Sequence, residues 1–117
     1  MFYFPIIVNN ENYECNRIHP LMQKKVNEIY NTIKNHKEIE CVIIFGSSVN
    51  IRCNKNSDID IAVKIKDEYF NRNNQNYISE IIGEITSYNC DIIWLNSIDQ
   101  LSQLFYNIYT FVVVIYE

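Results

Sequence analysis

Two aspartates one residue apart carry the clearest chemistry in this chain. Asp58-Ile59-Asp60 opens an apolar run that continues to Val63, and a second apolar run, Cys41 to Phe45, stops at Gly46-Ser47. Ten residues, Ser48 through Ser57, separate the Gly-Ser pair from the first aspartate. Side chains alternate along a strand, so Asp58 and Asp60 share one face, roughly 6 to 7 Å apart at their backbones, while Ile59 and Ile61 face the other. Carboxylates held that close repel one another unless a cation lies between them. Oxygen ligands on a rigid strand suit Mg²⁺, a hard ion that shares its remaining ligands with waters and phosphates. A Gly-Ser turn offers backbone N–H groups and a hydroxyl to phosphates. Asp at a strand entry also caps turns, but a second Asp inside a buried strand is costly unless paired or metal-bound. The pattern therefore points to a nucleotide together with a metal.

The elements that would position these groups follow from apolar patterning. Phe2 to Val8 is expected as an edge or irregular strand, because Pro5 interrupts it. A loop, Asn9 to His19, precedes a helix opened by Pro20 and ending near His36, with Leu21, Lys25, Glu28, Ile29, Thr32 and Ile33 on its mixed face. Strand Cys41–Phe45, a short helix from Ser47, strand Asp58–Ile65 and a polar loop over Asp67 to Asn76 come next. The spacing of Ile78, Ile81, Ile82 and Ile85 predicts a helix from Tyr77 to Tyr88 whose stripe is core. A third strand, Cys90–Leu95, begins beside the single acid Asp91. Ser97 is a candidate cap for a helix from about Ile98 to Tyr109, with Leu101, Leu104, Phe105 and Ile108 facing inward. A strand-like tail closes the chain.

Composition sets the outer bounds. At 117 residues the chain fits one domain, with an N-terminal strand, loop and helix over 1–37 and a catalytic core over 38–117. Its 48% hydrophobic and 14% aromatic content argue for a folded globule. A net charge of -4 speaks against a broad nucleic-acid-binding face, so no nucleic-acid template is expected. Cys15, Cys41, Cys53 and Cys90 show no metal-ligand spacing and are expected as free thiols in a reducing cytoplasm. The apolar start, Met1 to Val8, is too short to span a bilayer and lacks the marks of a signal peptide, so no membrane association is expected. His19 and His36 flank the first helix, where capping or solvated roles are usual.

Gly-Ser, ten residues, then Asp-x-Asp resembles the signature of the DNA polymerase β-like nucleotidyltransferases. The shortness of the chain and its Tyr-Glu ending resemble the minimal nucleotidyltransferases, antitoxin-type partners of HEPN toxins. The resemblance runs from about Glu38 to Glu117. It implies an α/β sandwich: a mixed sheet of four or five strands with helices mainly on one face. It implies metal ligation and catalysis by Asp58, Asp60 and Asp91, and nucleotide contacts from Gly46, Ser47, Ser48 and Arg52. Two Mg²⁺ ions would be bridged by Asp58 and Asp60, with ATP as donor. The acceptor would be a tyrosine hydroxyl on a cognate HEPN toxin, and a homo-oligomer is left open. The chain departs from the family where relatives carry Arg, a second basic residue and Gly; here stand Ser48, Asn50 and Ile51. Two alternatives therefore remain: an antitoxin that binds nucleotide or toxin with little or no turnover, and a nucleotidyltransferase acting on a small molecule.

Overall fold

In a computed structural model, residues 2–98 and 111–117 are described. Helix α1 (Pro20–Ile33) leads to strand β1 (Ile39–Phe45), strand β2 (Ile59–Ile65), helix α2 (Arg72–Thr86), strand β3 (Cys90–Trp94) and strand β4 (Val113–Tyr116). Among the described residues these four strands form one mixed sheet in the order β3-β2-β1-β4. Strand β1 runs antiparallel to both β2 and β4, whereas β2 and β3 are parallel and joined through α2. The expected α/β architecture is borne out.

The apolar runs sort onto two unequal faces. Val42 and Ile44 of β1 and Ile59, Ile61, Val63 and Ile65 of β2 share one core with Val26 and Ile29 of α1 and Ile78 and Ile82 of α2. Both helices therefore cover the same face. Ile43 and Ala62 point the other way into a smaller cluster, with Phe45 and Ile93 packed against it. Apolar residues are needed on both faces of β1, which explains its unbroken run.

Helix α1 starts where the sequence places it. Pro20 needs no N–H partner at that position, and the His19 ring accepts from the Leu21 N–H at 3.2 Å. Its inward face differs from expectation: Met22, Gln23, Val26, Ile29, Tyr30 and Ile33 are buried, and Leu21 is exposed. The missed member is polar. Fully buried Gln23 donates through Nε2 to the Pro5 and Ile18 carbonyls, and its Oε1 accepts from the Ile7 N–H. That side chain supplies the partners a neighbouring strand would have given, so Phe2 to Val8 is irregular rather than a strand.

Helix α2 begins a turn and a half before the expected Tyr77, inside a stretch expected as loop. Asn71 caps it, its side-chain oxygen accepting from the Asn74 N–H at 2.9 Å. It ends at Thr86 because Ser87 and Tyr88 both take left-handed backbone angles. Ser97 closes a 3-10 turn, Leu95–Ser97; the helix expected beyond it lies outside the described residues. No helix among the described residues is long and apolar enough to cross a membrane.

Candidate active site

Strand register assembles the carboxylates. Phe45 of β1 faces Asp60 of β2, and Asp60 in turn faces Asp91 of β3. Asp58 lies just ahead of β2 and is exposed, Asp60 is half-buried, and Asp91 is exposed at the start of a strand at the sheet's edge. The first residue beyond β1 is Gly46, at φ +72, and a side chain there would run into the Asp60 carboxylate. Only glycine satisfies both demands, the left-handed turn and the close approach of a carboxylate.

The electrostatics of the trio agree with their packing. The Asp60 carboxyl is pushed above its ordinary value, first by burial, then by the negative charges of Asp91 and Asp58, with a hydrogen bond to Asp91 adding to the shift. Strand register thus holds like charges together at a cost that a cation would relieve. The donor set, three carboxylates, is chemically fitted to a hard divalent ion. It is an open set: among the described residues, no three His, Cys, Asp or Glu side chains form a ready-made metal cage.

The residues expected at the nucleotide divide into two groups. Gly46 and Ser47 lie beside the carboxylates, and Ser47 Oγ donates to the Asp58 carbonyl at 3.4 Å, tying the turn to the entry of β2. The short helix after β1 is a single 3-10 turn, Gly46–Val49. Ser48 is fully buried within it, its carbonyl accepting from the His19 N–H at 2.7 Å and its hydroxyl left without a partner. Its side chain is therefore closed off from solvent, contrary to a contact with free nucleotide. Arg52 is exposed farther along the loop, which turns through an Asn50 side chain accepting from the Arg52 N–H at 2.9 Å.

One cation escaped the sequence reading. Arg17 lies in a 3-10 turn ahead of α1, yet it lines a cavity of about 440 Å³ that also touches Phe2, Phe45, Gly46, Asn50 and Phe111. Its Nη1 donates to Glu14 at 2.9 Å and its Nη2 to the Val112 carbonyl at 2.6 Å, while Nε is buried with no acceptor. No spacing rule connects it to the Gly-Ser turn. Only the folded chain brings them to one cavity.

A glycine-marked turn thus stands beside Asp60, with Asp58 and Asp91 near the starts of β2 and β3. Residues 27–117 match the family described as Polymerase beta, Nucleotidyltransferase, and the chain belongs to that family. No curated protein matches it. Its fold is similar to that of a chain in the MntA–HepT toxin–antitoxin complex, with a TM-score of 0.57 and 21% identity, covering 80% of this chain and 71% of that one. A toxin–antitoxin structure with AMP-PNP gives 0.58 and 20% over the same shares. The complex of a tri-AMPylated Shewanella oneidensis HEPN toxin with an MNT antitoxin gives 0.55 and 20%, over 79% of this chain and 71% of that one.

Proposed function

We propose that this protein is a magnesium-dependent adenylyltransferase that moves AMP from ATP to a tyrosine hydroxyl of a cognate HEPN toxin. The observation that carries the reading is the pairing of Asp60 with Asp91 across β2 and β3, with Asp58 adding its charge. Solved structures of similar fold support the choice of donor and partner: one contains AMP-PNP, and another an AMPylated HEPN toxin bound to an MNT antitoxin.

Each residue has a defined task. Asp58 and Asp60 would hold the metal, with Asp91 as a further ligand; a bound divalent ion neutralises phosphate charge and acidifies the attacking hydroxyl. Ser47 and the Gly46 turn steady the outer phosphates. Asp91 accepts the hydroxyl proton as the tyrosine oxygen attacks the α-phosphorus. The new O–P bond forms while the bond to the β-phosphate breaks, and pyrophosphate leaves with the electron pair. Catalysis here is positioning and charge neutralisation. The test is incubation with α-labelled ATP, Mg²⁺ and a HEPN-type protein encoded beside this chain. Label on a partner tyrosine, with release of pyrophosphate, is the expected result; tight binding of the partner without label anywhere rejects the transferase.

That second outcome would leave an antitoxin that binds without turnover. Ser48 gives it its footing, since the position where relatives carry arginine is here a closed, fully buried serine. An arginine placed there would have to displace packed atoms, so Ser48→Arg is not a route to higher activity.

A further inference from the structure

Strand β3 ends the sheet on the side of the carboxylates and leaves its outer backbone open. Ile59 of β2 pairs with Cys90 and donates its N–H to the Asn89 carbonyl at 3.0 Å, which fixes the parallel ladder. Asn89, Asp91 and Ile93 therefore turn their N–H and C=O groups toward β2, and Cys90, Ile92 and Trp94 turn theirs outward. Among the described residues no strand lies beyond β3, and none of its five residues is fully buried. Proteins usually blunt such an edge with lysine, proline or a bulge. This one reads Cys-Asp-Ile-Ile-Trp and pairs in unbroken register, so it carries none of them.

We propose that this edge seats the acceptor protein through an extended segment, whose backbone pairs with Cys90, Ile92 and Trp94 and whose tyrosine falls beside Asp91. The proposal rests on the transferase reading and adds to it how the acceptor is held. Two observations select a polypeptide that carries the hydroxyl. First, a row of facing residues, Phe45, Asp60 and Asp91, crosses β1, β2 and β3. One strand farther out, the residue in that row projects from the carboxylate face about 5 Å from Asp91. A tyrosine leaning back from there brings its oxygen over Asp60 and Asp91, so the free edge begins at the reacting atoms. Second, the side chains beyond Asp91 on that face are apolar: Ile93 and Leu95 pack beside Ile43 and Ala62 and stay half-exposed. An added strand repeats its side chains on one face at every second residue, so the segment recognised has an apolar residue two places from its tyrosine.

Other arrangements fit less well. At the opposite edge β4 faces Asn12, Tyr13 and Glu14 across a cavity, and β1 stands between it and β2. A second copy of β3 is the rival at the free edge. It would bring another Asp91 to a cluster of like charges that already repel, whereas a neutral phenol brings none.

Amide hydrogen exchange of the full chain, read residue by residue with and without the HEPN-type protein encoded beside it, tests the edge directly. The Cys90, Ile92 and Trp94 amides should exchange about tenfold more slowly with the partner bound, while those of β4 do not change. Labelling of a partner tyrosine with no slowing at these amides would overturn the proposal. So would slowing in the chain alone that grows with its concentration, the mark of a second copy. In AMP transfer, Ile92→Pro removes one outward N–H and should raise KM for the partner about tenfold with kcat little changed. Ile92→Ala loses at least as much side chain but keeps the N–H, and its KM should stay near wild type. Equal KM values in the two variants would reduce the effect to packing and overturn the pairing; should Ile92→Pro fail to fold, the exchange measurement decides alone. A partner that slows the β3 amides and is never labelled would refute the transferase and leave the docking edge standing.

Discussion

The two faces of β2 obey opposite rules within seven residues. On one, Ile59, Ile61, Val63 and Ile65 are all 1% exposed or less and pack under α1 and α2. On the other, Asp60 stands half-buried beside Asp91, with its proton held more tightly than in water. The first face stabilises the fold; the second gives some of that stability up to keep charges in register. A strand can do both only because its side chains alternate. Asp60 thus stands on the less covered face, on a backbone that the opposite face makes rigid.

Substitutions on the two faces should therefore part company. The largest effect belongs to the charged face: Asp91→Ala should lower AMP transfer by about 10³-fold while the chain stays folded, as judged by its thermal transition. Equal transfer rates in variant and wild type would remove Asp91 from the site. On the packed face, Ile61→Ala should cost about 2–5 kcal/mol in denaturant unfolding. A loss of transfer in proportion to the unfolded fraction, and no more, would confirm that Ile61 contributes only rigidity. Gly46→Ala lies between the faces. It places a side chain at φ +72 and against Asp60, and should cost about 1–3 kcal/mol in strain together with most of the activity.

The smallest effect tests the sign of the charge repulsion. A carboxyl whose proton is held more tightly in the folded state lowers stability as pH rises above its ordinary unfolded value. Asp60→Asn should accordingly raise the melting temperature of the metal-free protein at pH 7. That gain should shrink as pH falls through the raised value toward the ordinary one, 3.8, where the native Asp60 is protonated too. A variant less stable than wild type at pH 7 would show that Asp60 pays its way structurally.

The sequence disclosed those parts of the molecule that depend on local rules. Alternation in Asp58-Ile59-Asp60, the proline at the head of α1 and the isoleucine stripe of α2 are read from spacing, and each falls in an element of the expected type, although α2 starts earlier than expected. What stayed hidden depends on partners distant in sequence. Gln23 carries no apolar signal, yet it is buried and replaces a missing strand for the N-terminal segment. The Asn71 cap was lost among neighbouring asparagines, so α2 was expected late. Ser48 was expected at the nucleotide because it follows Gly-Ser, and the tightness of the 3-10 turn buries it instead. Arg17 had no motif at all; a guanidinium beside the glycine turn is a product of the tertiary fold.

The most direct test of the central claim asks whether the two carboxylates at the head of β2, Asp58 and Asp60, bind nucleotide through metal. Melting curves of wild type and of the Asp58→Asn, Asp60→Asn double variant, each with and without ATP and Mg²⁺, give the answer. A ligand that binds only the folded state raises its melting temperature by mass action. Wild type should melt higher with ATP and Mg²⁺ together, and the double variant should show no such rise while its ligand-free form is at least as stable. An undiminished rise in the double variant would contradict the assignment of Asp58 and Asp60 as the metal and nucleotide site.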